Sequence, residues 1–293
     1  MSSNQIVPLA QGSLFTFRFD DTVFSVDARR GGRIVTFSLG GRNILIGPAV
    51  EPANYGSTFW SSPQSDWGWP PPVEIDSAPY ASRVDGATLE LVGQVSPTLG
   101  LGAEKRFSAD PHTGVVTVAY TIRNHGPQAR QVAPWEISRV AAGGLTFFPM
   151  GEGEIRKGMQ DLLRPSIRDG VVWFAYDASV IGADQKLFAD GHEGWIAHVD
   201  GDLLLVKSFP DTLPHQAAPG EGEIEIYANA GHTYVEVENQ GAFVTLHSGQ
   251  ASTWTVHWML RRLDLGATPA KPGSAALVSF VRGLVKKARG TSP

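Results

Sequence analysis

From Leu14 to Leu260 the chain is a succession of short runs in which apolar or β-branched residues alternate with polar ones, with no helical period anywhere in that span. Strand side chains point alternately to the two faces, so each run reads as a strand with one buried face, and the close spacing leaves room only for antiparallel connections. The runs fall at Leu14 to Phe19, Thr22 to Asp27, Arg33 to Leu39, Thr88 to Val95, Val115 to Arg123, Gln131 to Val140 and Leu145 to Pro149. They continue at Val171 to Tyr176, Gly194 to Val199, Asp202 to Phe209, Glu223 to Tyr227 and in three runs between Tyr234 and Leu260. So many strands exceed one small sandwich. Asp20-Asp21, His125-Gly126 and Asp200-Gly201 carry hairpin chemistry between extended runs. The 33 glycines, 20 prolines and only 18% charged residues suit tight turns, so an all-β chain is expected.

The rhythm breaks at residues 47–87 and 150–192, which are irregular and rich in Pro, Gly, Ser and aromatics; long loops on rigid sheets commonly carry function. The final segment differs in kind. Leu277, Val278, Phe280, Val281, Leu284 and Val285 recur at helical spacing behind Ser274 and ahead of Lys286-Lys287, which predicts an amphipathic helix. Its expected role is to pack against the sheet or against a partner subunit in a homodimer, with a membrane-surface role the lesser alternative. The expected organisation is one β domain over 1–265, followed by a linker and helix over 266–293.

A net charge of -5 offers no basic stripe for phosphate backbones, so nucleic acid is not an expected partner. There are no cysteines, which removes disulfides, thiolate nucleophiles and Cys-ligated zinc. No run approaches the roughly 20 apolar residues of a spanning helix, and Met1-Ser-Ser-Asn-Gln-Ile-Val-Pro-Leu-Ala lacks leader features. A cytoplasmic protein without a membrane partner is expected.

The run Tyr234-Val-Glu-Val-Glu-Asn-Gln-Gly241 places Glu236 and Glu238 on one strand face with Tyr234, and Val235 and Val237 on the other. Two like charges side by side imply either a solvated face or a functional carboxylate. Glu238-x-Gln240, then a Leu-x-x-Gly turn at Leu246 to Gly249, then an aromatic strand, resembles the carboxy-terminal strands of the aldose 1-epimerase (galactose mutarotase-like) superfamily. Gly31 to Leu45 resembles that superfamily's opening hairpin, and Phe59-Trp-Ser-Ser-Pro-Gln64 is similar to a stretch in one bacterial subgroup. The resemblance covers most of residues 14–262. It implies a β-supersandwich of galactose mutarotase type, to which the spacing above adds a C-terminal helix, with a small-molecule carbohydrate bound on the concave face of a sheet.

Mutarotation needs a base for the anomeric hydroxyl proton and an acid for the ring oxygen. The match to Glu-x-Gln implies Glu238 as base. Trp135-Glu136 stands where the family's acid histidine is expected, and the Trp-rich loop replaces its second histidine signature. Glu136 is therefore the candidate acid if its pKa is raised, with a cross-strand ion pair to Arg139 as the structural alternative. His192, in a loop before an apolar strand, is the other candidate acid. Trp60, Gln64, Trp67 and Trp69, with Asp66, form a candidate sugar platform, since pyranose C–H faces stack on indoles; the alternative is a loop that packs its own small core. Arg139, Lys207 and Glu236 complete the candidate substrate-binding set, and a basic pair of Lys207 with Arg139 in the cleft would favour phosphorylated or acidic sugars. No cofactor and no metal is expected. The expected function is carbohydrate binding with aldose or sugar-phosphate mutarotase (epimerase) activity. The alternative is a sugar-binding or sensing protein without catalysis; a glycosidase using Glu136 and Glu238 is a third reading.

Overall fold

The computed structural model describes residues 6–159 and 163–290. Two antiparallel sheets face each other. The first runs in the order Leu9–Gln11, Leu14–Phe19, Thr22–Asp27, Arg33–Leu39, Ser57–Ser62, Arg130–Ala141, Tyr234–Gln240, Ile224–Ala228, Gln185–Ala189 and Arg156–Met159, with Arg42–Asn43 and Val244–Leu246 attached at the side. The second runs Ser166–Arg168, Val171–Ala175, Leu145–Pro149, Trp195–Asp200, Leu203–Ser208, Ala251–Arg262, Val115–Asn124, Leu101–Asp110, Thr88–Val95 and Ala81–Asp85. This is the all-β supersandwich that the alternation and the resemblance imply.

The inner faces of the sheets make one apolar core, because alternate residues of each strand point inward. Phe17, Phe24, Phe37, Phe59, Val235 and Val237 come from the first sheet and meet Phe107, Val118, Tyr120, Leu205 and Trp258 of the second. Trp258 packs edge-on against Phe24 and Phe37, with ring centroids 6.2 and 5.8 Å away.

That core also holds charge. Glu136 Oε1 accepts from Tyr120 OH at 2.6 Å and from Trp258 Nε1 at 3.0 Å, while Lys207 Nζ lies 3.2 Å from its Oε2. Lys207 also donates to Ser138 Oγ and to Val237 O, at 3.1 and 2.8 Å. Burial pulls the Lys207 ammonium below its ordinary range, and Glu136 opposes that. Two expectations are corrected here. Glu136 and Arg139 are three residues apart on a strand and so point to opposite faces; Glu136 pairs with Lys207 between the sheets, and Arg139 turns outward. The basic pair of Lys207 with Arg139 therefore does not form.

The helix Ala275–Gly290 lies on the outer face of the second sheet. Leu277, Val278, Val281, Leu284, Val285 and Ala288 cover Phe147, Trp173, Trp195 and Leu204. Each fully buried Val or Leu contributes about 1.5–3 kcal/mol relative to exposure. Phe280 lies off that stripe and is 38% exposed. No helix among the described residues is long and apolar enough to cross a membrane.

Candidate functional site

Five neighbouring strands of the first sheet present a polar and aromatic outer face: Ser57–Ser62, Arg130–Ala141, Tyr234–Gln240, Ile224–Ala228 and Gln185–Ala189. Register aligns the outward side chains in rows. Trp60 faces Trp135, which faces Gln240; Thr58 faces Ile137, which faces Glu238; Glu238 faces Glu225, which faces Phe188. Arg139 faces Glu236, which faces Tyr227, which faces Lys186. All are set by strand parity, so these side chains share one face.

Glu238 is the hub. Its Oε2 accepts from Trp135 Nε1 at 2.8 Å and from Lys186 Nζ at 3.0 Å. Lys186 also lies 2.6 Å from Glu225 Oε2, and its ammonium sits 4.6 Å from the centre of the Trp135 ring. Burial works against the Lys186 charge, but Glu225, Glu238 and Glu236 more than offset that and hold the ammonium protonated above its ordinary range. Glu225 Oε1 accepts from Gln240 Nε2 at 2.8 Å and from Gly222 N at 3.1 Å. Burial raises the Glu225 carboxyl well above its usual range, against the pull of Lys186.

Two residues along the strand, Glu236 Oε1 lies 2.8 Å from Arg139 Nε. Arg139 donates to Thr58 Oγ1 at 3.1 Å and stacks over Trp60 at 5.4 Å. Burial pushes the Glu236 carboxyl up to about 7, with Arg139 pulling it down and Glu238 pushing it up. Among the described residues, Glu238 Oε1, Gln240 Oε1 and Arg139 Nη2 on this face find no hydrogen-bond partner. An unsatisfied buried polar group costs about 1–3 kcal/mol, so a cluster of them on one face suits a ligand rich in hydroxyls.

The Trp-rich loop reaches this face. Trp60, Trp67 and Trp135 pack together, with centroids 5.6 Å apart for Trp60 and Trp67 and 5.2 Å for Trp60 and Trp135. Trp67 Nε1 donates to Ser61 O at 2.8 Å and Trp60 Nε1 to Asp76 Oδ1 at 2.7 Å. Gln64 N donates to Glu221 Oε1 at 2.9 Å, which ties this loop to the one before the Glu225 strand. The loop thus packs a small core of its own and uses it to wall the outer face. Trp69 and Asp66 remain exposed. His192 lies elsewhere, on an exposed loop, with Nδ1 3.8 Å from Asp211 Oδ2 and its backbone N–H donating to Pro149 O. It does not join the Glu238 cluster.

Sequence reasoning missed Lys186, Glu225 and the role of Trp135. Glu223 and Glu225 alternate as Glu236 and Glu238 do, so that signal was present; the short run Gln185–Ala189 offered none. At the Trp135–Glu136 position, where the resemblance implies an acid, an indole N–H instead donates to Glu238. Among the described residues no group of three His, Asp or Glu side chains is placed to hold a metal ion.

The fold and this face define a protein of galactose mutarotase-like architecture. A galactose mutarotase-like protein from Lactobacillus casei superposes with a TM-score of 0.59 at 12% identity, covering 85% of this chain and 100% of that one. A galactose mutarotase related enzyme from Lactobacillus acidophilus gives 0.57 at 8% identity, covering 85% and 97%. A TPR-domain containing protein from Parabacteroides distasonis gives 0.62 at 13% identity over 88% of this chain, which spans about half (49%) of that protein. No curated protein matches in sequence. Residues 17–261 match the family described as a domain of unknown function (DUF4380), and the chain belongs to that family.

Proposed function

We propose that the protein binds a reducing sugar on the outer face of the first sheet and interconverts its anomers, with Glu238 as base and Glu236 as acid. The observation that carries this reading is the state of Glu238: oriented by Trp135 and Lys186, it keeps Oε1 without a hydrogen-bond partner among the described residues, two residues from a carboxyl whose pKa is pushed up to about 7. Residues i and i+2 of a strand stand about 7 Å apart on one face, a spacing at which two carboxyl groups can flank one pyranose. Glu238 takes the proton from the anomeric hydroxyl while Glu236 gives its proton to the ring oxygen. The bond between the anomeric carbon and the ring oxygen breaks and a carbonyl forms. Rotation exposes the other carbonyl face, and ring closure returns both protons. A pKa near the working pH suits an acid that must also recover its proton. Lys186 keeps Glu238 in one orientation, and Trp60, Trp67 and Phe188 offer apolar surface to the C–H faces of the ring.

A second reading, sugar binding without catalysis, is favoured by one observation: Lys186 bridges both Glu225 and Glu238, which damps the basicity of the carboxylate it touches. No histidine stands on the five strands. NMR exchange spectroscopy on free and phosphorylated hexoses, pentoses and uronic acids separates the two. Protein-accelerated exchange that Glu238→Gln lowers by about 10²–10⁴ supports catalysis. Saturable broadening without exchange supports binding alone, and no response to any sugar removes both readings.

A further inference from the structure

Seven of the eight tryptophans are buried or half-buried; Trp69 is 61% exposed. An indole carries one of the largest apolar surfaces of any side chain, so leaving it in water costs more than for other residues. The exposure is not that of a loose loop. Trp69 packs edge-on against Trp60, with centroids 6.0 Å apart and planes at 76°. The segment before it is fixed by Gly68 N to Gln64 O at 2.8 Å, and Pro70, Pro71 and Pro72 follow. Past them, Asp76 accepts from Trp60 Nε1 and pairs with Arg33. The backbone on both sides of Trp69 is therefore anchored to the wall of the site, and its indole touches Trp60 while the rest of it is exposed.

Trp69 also extends an existing row. Glu238 is bonded to Trp135, Trp135 packs on Trp60, and Trp60 packs on Trp69. The row leads from the reacting carboxylate outward to the rim, and Gln64 and Asp66 are partly or fully exposed on the same loop. A monosaccharide over Glu238 would leave Trp69 unused.

We infer that the site accepts an oligosaccharide, with its reducing-end ring over Glu238 and a following ring stacked on Trp69. This rests on the sugar reading of the site. It names a substrate class, reducing oligosaccharides, for which anomer exchange occurs at the inner ring and recognition extends to the outer one. One ring stack on an aromatic gives a gain of about three- to tenfold in affinity.

The test is calorimetric titration of the wild type with matched probes: glucose, maltose and cellobiose, and galactose with β-1,4-galactobiose. A disaccharide should bind at least threefold tighter than its own monosaccharide. Trp69→Ala should weaken disaccharide binding at least threefold more than monosaccharide binding, and Trp69→Phe should retain part of the difference. Monosaccharide binding with no disaccharide gain, or with equal losses in Trp69→Ala, overturns the inference and leaves the sugar reading standing. A Trp69→Ala variant that changes only the sedimentation coefficient would make Trp69 a contact between copies of the chain and also overturns it. If no probe binds, the sugar reading fails and the inference falls with it.

Discussion

Two glutamate–lysine assemblies occupy opposite faces of the same sheet, and they differ in what they leave undone. In the interior, Glu136 receives Tyr120, Trp258 and Lys207, and Lys207 also satisfies Ser138 and a backbone carbonyl. On the outer face, Lys186 joins Glu225 and Glu238, but Glu238 Oε1, Gln240 Oε1 and Arg139 Nη2 have no hydrogen-bond partner among the described residues. Both assemblies are built from glutamate and lysine, the inner one across the two sheets and the outer one on neighbouring strands of a single sheet. A buried charge enclosed by donors on every side serves the fold, whereas one with an unused oxygen on an outer face is arranged for something that arrives.

The largest expected effect is on stability. Lys207→Met leaves Glu136 buried without its counter-charge and should cost about 3–5 kcal/mol in urea unfolding. Lys186→Met should cost less, because Lys186 is 11% exposed where Lys207 is fully buried, and should instead suppress anomer exchange. Equal stability losses in the two would erase the distinction between the assemblies. Next comes Glu238→Gln, which should reduce exchange by about 10²–10⁴ while changing stability less than Lys207→Met does. The pH profile sharpens the assignment of the acid. Glu236 must carry its proton, so exchange should fall as pH rises through about 7, and Glu236→Gln should remove that limb.

The smallest effect concerns Lys105, the other cation in the interior. Its amine donates to Gly31 O at 2.6 Å, and burial lowers its pKa to about 7 from an ordinary 10.5. Between those values the unfolded chain binds more protons than the folded one, so stability should rise with pH across that window, with a slope of up to about 1.4 kcal/mol per pH unit. Lys105→Met should flatten the rise in urea midpoints between pH 7 and 10. An unchanged slope would show that the amine keeps its charge inside.

Much of the fold was legible because alternation is a direct print of strand faces. The alternation in Tyr234–Gln240 carries the correct parity, with Val235 and Val237 inward and Glu236 and Glu238 on the opposite face. Other strands were hidden by composition. Leu101–Asp110 carries Glu104, Lys105 and Arg106 in a row, and Ser57–Ser62 is buried on both faces, so neither alternates. At the site, the acidic pair was legible and the placement of Glu136 was not. Parity alone would have separated Glu136 from Arg139, but which face of that strand looks inward depends on Trp135, Ile137 and Arg139 finding partners on distant strands. Lys186 was illegible for the same reason: a lysine in a short run becomes part of a site only when Glu225 and Glu238 are brought beside it.

The tryptophans are divided among regions in a way that lets them report which one meets the proposed ligand. Trp60, Trp67, Trp69 and Trp135 belong to the outer face of the first sheet, Trp254 and Trp258 to the interior, and Trp173 and Trp195 to the surface beneath the helix. The decisive measurement is a ¹⁵N–¹H spectrum of the indole groups, assigned by single Trp→Phe substitutions and titrated with the sugar that gives the strongest response in the exchange panel. The expected result is saturable movement of the Trp135 and Trp60 signals, with those of Trp258, Trp173 and Trp195 unchanged. Saturable movement beneath the helix with a fixed Trp135 signal would contradict the account, because the carboxylate that Trp135 holds would then have no part in binding.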